Sequence, residues 1–535
     1  MTRWMLLAAI VLAAVLRGLP LLAPPLGVEL DAAYPRSAVR AVVERDWKPL
    51  APVHGALLPD LLRALTTLGY GAGHVSGRYA ERVDLLADFV RDPLPFVVLG
   101  RVVIVVVSLV GVCLTALLAA RLGGPLAAPA AAVLLATSYI HVRESLHVWP
   151  DAIAATCAVA TVLAALVHLE RATLCTALVL GASAGLALAG KYALVPLAIP
   201  VALALVLGGE ARLRHLVTAC TVALVVFLGT SPYVVFDWAM VTLQMRIQAM
   251  GSFAPGGPSQ IAWPTLLRIT LGIGPLVLAI LGVVASIERR GRAAVVAAAF
   301  PLAYLAMLAR ANPYARYFAI AAPFVAAFGG AGAVAIAERM APRRVGLVVA
   351  LVVAVASAVP LHQSWQHVAL LRRADTRVLA GEWLAANVEP GSAVTLPNIV
   401  PYANPVVAPN AFILRLEYPS WQPALAARGL PDPARSSYRT RYQGMLGNYD
   451  GGFVPQDPVV VTAEHPAANT ALATPAVNVA RLRAAGYRIA VRFEGVPDPP
   501  PRGLLYDPQD ADYAPLQGAE HLPHPGPTLT IWRAP

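Results

Sequence analysis

The sequence has few charged residues and few cysteines, and each shortage excludes a class of protein. Only 13% of its 535 residues are charged, whereas 58% are hydrophobic and the mean hydropathy is +0.64. This balance excludes an ordinary soluble enzyme and indicates a polytopic membrane protein. A disulfide framework is excluded as well, because all four cysteines lie within apolar runs: Cys113, Cys157, Cys175 and Cys220.

The formal net charge of +11 does not indicate a nucleic-acid partner. The basic residues collect in short turns between apolar segments, as expected for turns on the cytoplasmic side of a membrane. These turns carry Arg121, Arg171, Arg212, Arg214, Arg289, Arg290, Arg292, Arg339, Arg343 and Arg344. We therefore expect the N-terminus inside the cytoplasm and the hydrophilic C-terminal part outside it.

Apolar segments of membrane-spanning length predict the fold. They lie near residues 4–22, 96–120, 125–139, 151–168, 172–190, 193–208, 213–231, 265–287, 293–309, 315–337 and 343–361. The first is too long for a signal peptide and has no clear cleavage site, so we expect an uncleaved span. Residues 1–361 are thus predicted to form about eleven transmembrane helices, with juxtamembrane helices in the first outer loop. Residues 362–535 alternate helix and strand patterns and predict an extracytoplasmic α/β domain.

The loop after the first span carries two carboxylates ahead of an amphipathic helix. Glu29 and Asp31 are predicted on a short loop, and Pro35 suits the first turn of the helix that follows. That helix places charged side chains on one face and valines on the other, which is typical of a helix on a membrane surface. The two acids are interpreted either as a solvated loop with a helix cap or as part of a site.

Other polar residues collect on the predicted outer side. They occur in the sequence HVRESLHVWPD, at Lys191 and in the turn NPYARY. Ionisable groups at membrane depth are costly, so by default they indicate a functional site.

Several of these stretches, in this order, resemble the GT-C superfamily of polyprenyl-phosphate-dependent glycosyltransferases. Within this superfamily the chain resembles the family 39 and aminoarabinose-transferase-like branch, which includes the protein O-mannosyltransferases. The resemblance covers nearly the whole chain and rests on VELDAAY, RDPLPFVVLGR, YIHVRESLHVWPDAIAATCAVATVLAAL, ASAGLALAGKYALVPLAIP, FLGTSPYVVFD, NPYARYFAIAAPFVA and ADTRVLAGEWLAANVEPGS. It implies transfer of a mannose-like or arabinose-like sugar from a polyprenyl-phosphate donor to a hydroxyl group.

The resemblance implies a catalytic acid in the first outer loop, followed by a tyrosine. Here the acidic pair is split, with Glu29 and Asp31 ahead of Tyr34. We favour Asp31 as the base that acts on the acceptor, with inversion at the anomeric carbon, and keep Glu29 as the alternative. The second acid of the family corresponds to Asp151.

Positive side chains are needed to hold the leaving phosphate. Lys191, Arg143 and Arg316 are the candidates, with Tyr317 beside Arg316. Lys191 is also interpreted as a lysine that extends to the lipid headgroups, and Arg316 and Tyr317 as interfacial anchors.

The HVRESLHVWPD stretch is alternatively interpreted as a binding site for a divalent cation. Glu144, His147 and Asp151, with His141, have side chains that bind metals. Pro150 is predicted to start a new helix and to break their register, which favours a polar rim that holds Asp151 and the sugar. Arg143 and Glu144 are also interpreted as a surface ion pair of little energetic weight.

The remaining polar residues of the outer loops are interpreted as an acceptor groove or as solvated loop: His54, Asp60, His74, Asp84, Asp237 and Gln244. The C-terminal part has no recognisable catalytic motif, and we expect it to handle the acceptor or to cover the cavity as a lid.

The leading hypothesis is a glycosyltransferase at the outer face of a bacterial cytoplasmic membrane. Its acceptor is a protein, a cell-wall glycan or a glycolipid, and its partners are membrane lipids and the lipid-linked sugar. The alternatives are a lipid or glycan transporter (flippase), in which charges line a path across the bilayer, and a non-catalytic scaffold of the same fold.

Overall fold

A computed structural model describes most of the chain. The described residues are 2–21, 28–46, 48, 55–209, 211–253, 261–311, 313–397, 404–406, 421–430, 438–443, 453–466, 473–507 and 514–535. They belong to two units. The first comprises Met1–Leu21, Trp47–Ala64 and Gly100–Trp365, and the second comprises Leu22–Asp46, Leu65–Leu99 and Gln366–Pro535. The predicted domain boundary at residue 361 stays a prediction, and the second unit takes two segments of the predicted first loop.

Helices occupy each of the apolar segments that the sequence marks, because an apolar stretch satisfies its backbone within a helix. In chain order the α-helices are α1 (Thr2–Gly18), α2 (Val28–Glu44), α3 (Leu57–Val75), α4 (Arg82–Arg91), α5 (Leu94–Gly123), α6 (Ala127–Thr137), α7 (Tyr139–Glu144), α8 (Asp151–Glu170), α9 (Leu174–Gly190), α10 (Ala198–Leu207), α11 (Arg212–Thr230), α12 (Tyr233–Phe236), α13 (Trp238–Phe253), α14 (Trp263–Thr270), α15 (Ile273–Arg290), α16 (Arg292–Leu308), α17 (Ala322–Met340), α18 (Val345–Leu371), α19 (Thr376–Asn387), α20 (Gln422–Ala426) and α21 (Ala476–Ala484). Short 3₁₀-helices cover Tyr192–Leu197, Ala315–Ile320 and Ala519–His521.

Four helical stretches of the described chain are long and apolar enough to cross a membrane. They are Leu94–Gly123, Asp151–Glu170, Arg212–Thr230 and Val345–Asn387, and a fifth results if α14 and α15 form one broken span. Four shorter apolar helices accompany them: Ala127–Thr137, Leu174–Gly190, Tyr192–Leu207 and Arg292–Leu308. The protein is therefore a multi-pass membrane protein, and the predicted count of about eleven spans stays a prediction.

The segment 265–287 is not the continuous span that the sequence predicts. The chain bends by 93° between α14 and α15. Gly272 lies at this break with φ +78, a left-handed conformation that favours glycine. Pro275 follows in the first turn of α15, so the sequence GIGP contains the signal for the break.

Glycines allow α15 and α17 to approach each other closely. A Cβ atom on Gly282 would collide with the backbone of Phe328, and one on Gly332 would collide with the backbone of Leu278. Small residues at such contacts are the usual means of helix association in a membrane.

The second unit contains a mixed five-stranded sheet. Its strands are β1 (Ala393–Leu396), β2 (Arg439–Tyr442), β3 (Val459–Glu464), β4 (Arg488–Phe493) and β5 (Thr528–Arg533). Their order is β2-β1-β3-β5-β4, with β1 parallel to β2 and β3, and β5 antiparallel to β3 and β4. The helix and strand patterns that predict the α/β domain in residues 362–535 include SAVTL, PVVVTAE, YRIAVRFE and TLTIWRA, and each of these contains a strand. Strand β2 was not predicted, because its RTRY sequence is polar.

Helix α2 begins earlier than predicted. It starts at Val28, so Glu29 and Asp31 lie in its first turns and Pro35 lies inside it. The proline removes one internal hydrogen bond, a loss that a helix tolerates when other contacts hold it. Its valine face does not lie on lipid, because Val39, Val42 and Val43 pack in a core cluster with residues of α4.

Candidate active site

A buried ion pair joins two helix ends in the first unit. Asp151 is the first residue of α8, and Lys191 directly follows α9. Lys191 Nζ donates to Asp151 Oδ1 at 2.5 Å, and the two side chains are only 9% and 1% exposed. The start of a helix favours a carboxylate, which helps to hold the charge of Asp151 in this place. Because Lys191 is buried against Asp151, it is not an anchor that extends to the lipid headgroups.

Aromatic rings surround the cations of this site. Lys191 Nζ lies 4.5 Å from the centre of the Tyr317 ring. The guanidinium of Arg316 lies 4.7 Å from the centre of the Trp149 ring. Both contacts have the geometry of cation–π interactions. Tyr304 Oη donates to the Tyr317 carbonyl at 3.1 Å and helps to fix the 3₁₀-helix that carries Arg316.

A second buried ion pair lies on α7. Arg143 Nη1 donates to Glu144 Oε1 at 2.6 Å, with side chains 1% and 4% exposed. The interpretation as a surface pair is therefore wrong, because both charges are inside the protein. Buried pairs of this kind are costly to desolvate and contribute little net stability.

The stretch from His141 to Asp151 does not form one helix. Helix α7 ends at Glu144 and α8 begins at Asp151, with Pro150 immediately before it. The predicted break in register is therefore confirmed, and His147 is buried in the connection. In the part of the chain that the structure describes, no three His, Cys, Asp or Glu side chains are grouped closely enough to hold a metal ion.

Sequence reasoning missed Arg17, which is fully buried at the end of α1. Its guanidinium donates to Ser108 Oγ at 2.9 Å, to Ser145 Oγ at 3.3 Å and to His141 Nδ1 at 2.8 Å. It also donates to the carbonyls of Ala13, Ala136 and Leu135. These bonds fix the connection between α6 and α7. The available signal was an arginine inside an otherwise apolar first segment.

The predicted acids of the first loop lie on α2 in the second unit. The side chains of Glu29 and Asp31 are outside the described residues, so their predicted roles stay predictions. Tyr34 is buried on the same helix. At the other end of α2, Arg40 Nε donates to Glu44 Oε2 at 2.7 Å. The two residues are four positions apart and therefore lie on the same face of the helix.

The residues predicted to line an acceptor groove are divided between the units. Asp60 and Asp237 belong to the first unit, where Asp60 pairs with Arg63 at 3.1 Å and Asp237 pairs with Lys48. Burial raises the pKa of Asp60 to about 6, against the opposing charge of Arg63. Gln244 also belongs to the first unit.

In the second unit, His74 Nδ1 donates to the Tyr79 carbonyl at 2.8 Å and Asp84 pairs with Arg428. His54 is outside the described residues.

Comparisons with known proteins find a related family model and similar folds. Residues 97–236 match the family model of dolichyl-phosphate-mannose-protein mannosyltransferases. That range contains Arg143, Glu144, His147, Asp151 and Lys191. The resemblance to GT-C polyprenyl-phosphate-dependent glycosyltransferases is therefore confirmed.

A solved structure has a similar fold over nearly the whole chain. ArnT from Cupriavidus metallidurans, bound to undecaprenyl phosphate, superposes with a TM-score of 0.54 and 13% sequence identity, over 99% of this chain and 97% of that one. The oligosaccharyltransferase of Archaeoglobus fulgidus gives a TM-score of 0.49 and 13% identity, over 74% of this chain. The match spans only 62% of the length of that oligosaccharyltransferase. A comparison with curated proteins found no match.

Proposed function

We propose that the protein is a membrane glycosyltransferase that moves a sugar from a polyprenyl-phosphate donor to a hydroxyl group of an extracytoplasmic acceptor. The observation that carries the proposal is the buried Asp151–Lys191 pair beside Arg316 and Tyr317. Its fold is shared with a structure of ArnT that contains undecaprenyl phosphate. Since buried ion pairs contribute little to stability, their presence at helix ends supports a role in ligand binding.

The donor phosphate is proposed to bind to the cationic side chains. Lys191 is a compact charge that has Asp151 as its partner, and an incoming phosphate would share this ammonium group. Arg316 presents a planar guanidinium, which suits the oxygens of a phosphate. Arg143, Glu144 and His147 belong to the same unit and are proposed to line the donor site. Tyr317 covers Lys191 from one side.

The reaction is proposed as a single displacement with inversion. The acceptor oxygen forms a bond to the anomeric carbon while the bond from that carbon to the phosphate oxygen breaks. The electron pair leaves on polyprenyl phosphate, where Lys191 and Arg316 stabilise the charge. The acceptor proton passes to the carboxylate of Asp31, with Glu29 as the alternative base and Tyr34 beside them on α2.

The arrangement is proposed to face the outside of a bacterial cytoplasmic membrane. The basic turns predict this orientation, in which Asp31, Asp151 and Lys191 are all expected at the outer side of the membrane. The acceptor is then a protein, a cell-wall glycan or a glycolipid exposed there. A transporter is less well supported. Its charges would continue across the bilayer, whereas the polar residues of this chain collect on the predicted outer side.

Purified protein with polyprenyl-phosphate sugars tests this proposal. Asp31→Asn is expected to abolish sugar transfer while polyprenyl phosphate still binds. Asp46→Asn, in the segment after α2, is the matched control and is expected to retain transfer. Unchanged turnover by Asp31→Asn, together with loss in Glu29→Gln, would assign the base to Glu29. Unchanged turnover by both variants would show that neither acid of this loop is the catalytic base.

Donor binding is tested separately with Lys191→Ala. We expect the affinity for polyprenyl phosphate to fall at least tenfold, roughly the value of one lost charge-assisted contact. Lys48→Ala removes a lysine that pairs with Asp237 and serves as the control. An unaltered affinity in Lys191→Ala would remove this residue from the donor site.

A further inference from the structure

A short C-terminal segment packs against the helix that carries the predicted catalytic acids. This segment, 421–430, contains α20, and it lies in the second unit together with α2 and α4. Trp421 Nε1 donates to Glu44 Oε1 at 3.2 Å. The other oxygen of Glu44 accepts from Arg40, so one carboxylate joins the segment to the last turns of α2.

Apolar contacts continue this connection. Leu425 is only 1% exposed and belongs to a core cluster with Val39, Val42 and Val43 of α2. Phe89 of α4 is fully buried in the same cluster. Trp421, Ala424 and Leu430 pack against its edge. The segment therefore contributes a central side chain to the core beneath α2.

Arg428 fixes the segment to the start of α4. Its Nε donates to Asp84 Oδ1 at 2.5 Å, and its Nη2 donates to Glu81 Oε2 at 2.8 Å. The N–H of Glu81 donates in turn to Asp84 Oδ2 at 2.7 Å, which closes the first turn of the helix. Arg82 Nη1, on the same turn, donates to the Val42 carbonyl of α2 at 2.7 Å. The first turn of α4 thus links the segment to α2 by polar contacts.

Helix α2 depends on such contacts for its position. It has 17 residues and contains Pro35, which removes an internal hydrogen bond, and most of the stability of a helix in a protein comes from tertiary packing. Its buried valines therefore hold it through the core that Leu425 completes.

We propose that Trp421, Leu425 and Arg428 are positioning residues that hold α2, and with it Asp31 and Glu29, in the geometry needed for transfer. The catalytic part of this inference rests on the proposed function. The segment 421–430 then acts on the reaction through the helix that it holds.

Hydrogen exchange and kinetics of the full-length protein test the inference together. Leu425→Ala is expected to raise the rate of amide exchange over Val28–Glu44 by roughly 30-fold or more. This fold-change corresponds to the smallest loss of stability that is usual when a buried leucine is replaced by alanine. The turnover number is expected to fall about tenfold, while the affinity for polyprenyl phosphate changes less than about twofold.

Leu482→Ala is the matched control. Leu482 is fully buried in a different cluster, with Val460, Tyr487 and Trp532 of the sheet region. Its truncation is expected to lower stability without raising exchange over α2. Arg428→Ala is the milder variant if Leu425→Ala does not fold, and Arg428→Lys is expected to restore part of the protection.

The exchange measurement does not require activity, so it stands even if the wild-type protein transfers no sugar. Unchanged exchange over α2 in both Leu425→Ala and Arg428→Ala would overturn the structural part of the inference. Raised exchange with an unchanged turnover number would overturn its catalytic part.

Discussion

Two ion pairs of the first unit and the Arg428 pairs of the second unit differ in burial and in what they can contribute. In the first unit, the pairs Asp151–Lys191 and Arg143–Glu144 have side chains no more than 9% exposed. In the second unit, the Arg428 pairs have side chains 22% to 71% exposed. The buried pairs have already lost their contact with water, at a cost in free energy, whereas water screens the charges of the Arg428 pairs. Under the proposed function the buried pairs prepare a site for a charged ligand, whereas the exposed pairs join the segment 421–430 to the start of α4.

The largest expected effect comes from breaking a buried pair. Lys191→Met leaves the Asp151 carboxylate buried without its partner, and we expect the free energy of unfolding to fall by about 3 to 5 kcal/mol. Replacing both residues with apolar ones, Asp151→Leu and Lys191→Met, is expected to recover most of this stability but no sugar transfer. Thermal unfolding in detergent and a transfer assay measure the two properties. A double variant as unstable as the single one would show that this pair is mainly structural.

An intermediate effect is expected at Asp60, whose pair with Arg63 is half-buried. The pKa of Asp60 is raised to about 6 by burial, so the folded protein favours the protonated carboxyl more than the unfolded chain does. The resulting stabilisation is complete below about pH 4 and is lost as the pH rises through about 6.

The difference in unfolding temperature between wild type and Asp60→Asn isolates this contribution. We expect wild type to lose a few degrees relative to the variant between about pH 4 and pH 7. Arg63 is present in both proteins, so the comparison changes only the carboxyl group. A difference that stays constant with pH would contradict the raised pKa.

The smallest expected effect belongs to the exposed pair. A double-mutant cycle of Arg428→Ala and Asp84→Asn is expected to give a coupling energy below about 1 kcal/mol. This coupling should weaken further in high salt, because both side chains are accessible to water. The corresponding cycle for Asp151 and Lys191 should be insensitive to salt. Equal salt sensitivity of the two cycles would remove the distinction between the regions.

Much of the helical architecture could be predicted because hydropathy is a local property of the sequence. The apolar segments correspond to helices, and the break at Pro150 was read from one residue. The bend at Gly272 and the start of α2 at Val28 were not predicted. The bend has a local signal in GIGP that was not used in the prediction. The start of α2 depends on packing that overrides the local pattern, since Pro35 is tolerated inside a helix only when neighbouring residues hold it.

The candidate site residues were selected one by one, and their pairing could not be predicted. Lys191 was selected as a charged residue at the end of an apolar segment, and Asp151 as the counterpart of the second acid of the family. They are 40 positions apart, and only tertiary packing brings their side chains together. Arg17 was missed for the same reason, because its partners come from later helices. The roles of Glu29 and Asp31 rest on resemblance alone.

The buried guanidinium of Arg17 has a consequence for biosynthesis. The first helix leaves the ribosome well before Ser108, His141 and Ser145 exist, yet these residues later satisfy its charge. An arginine costs about 2.5 to 3.5 kcal/mol at the centre of an inserting helix and less near its end. On the prediction that α1 spans the membrane, the nascent helix keeps this side chain at the lipid–water boundary until the later helices arrive, and the final depth of α1 in the bilayer is set late in translation.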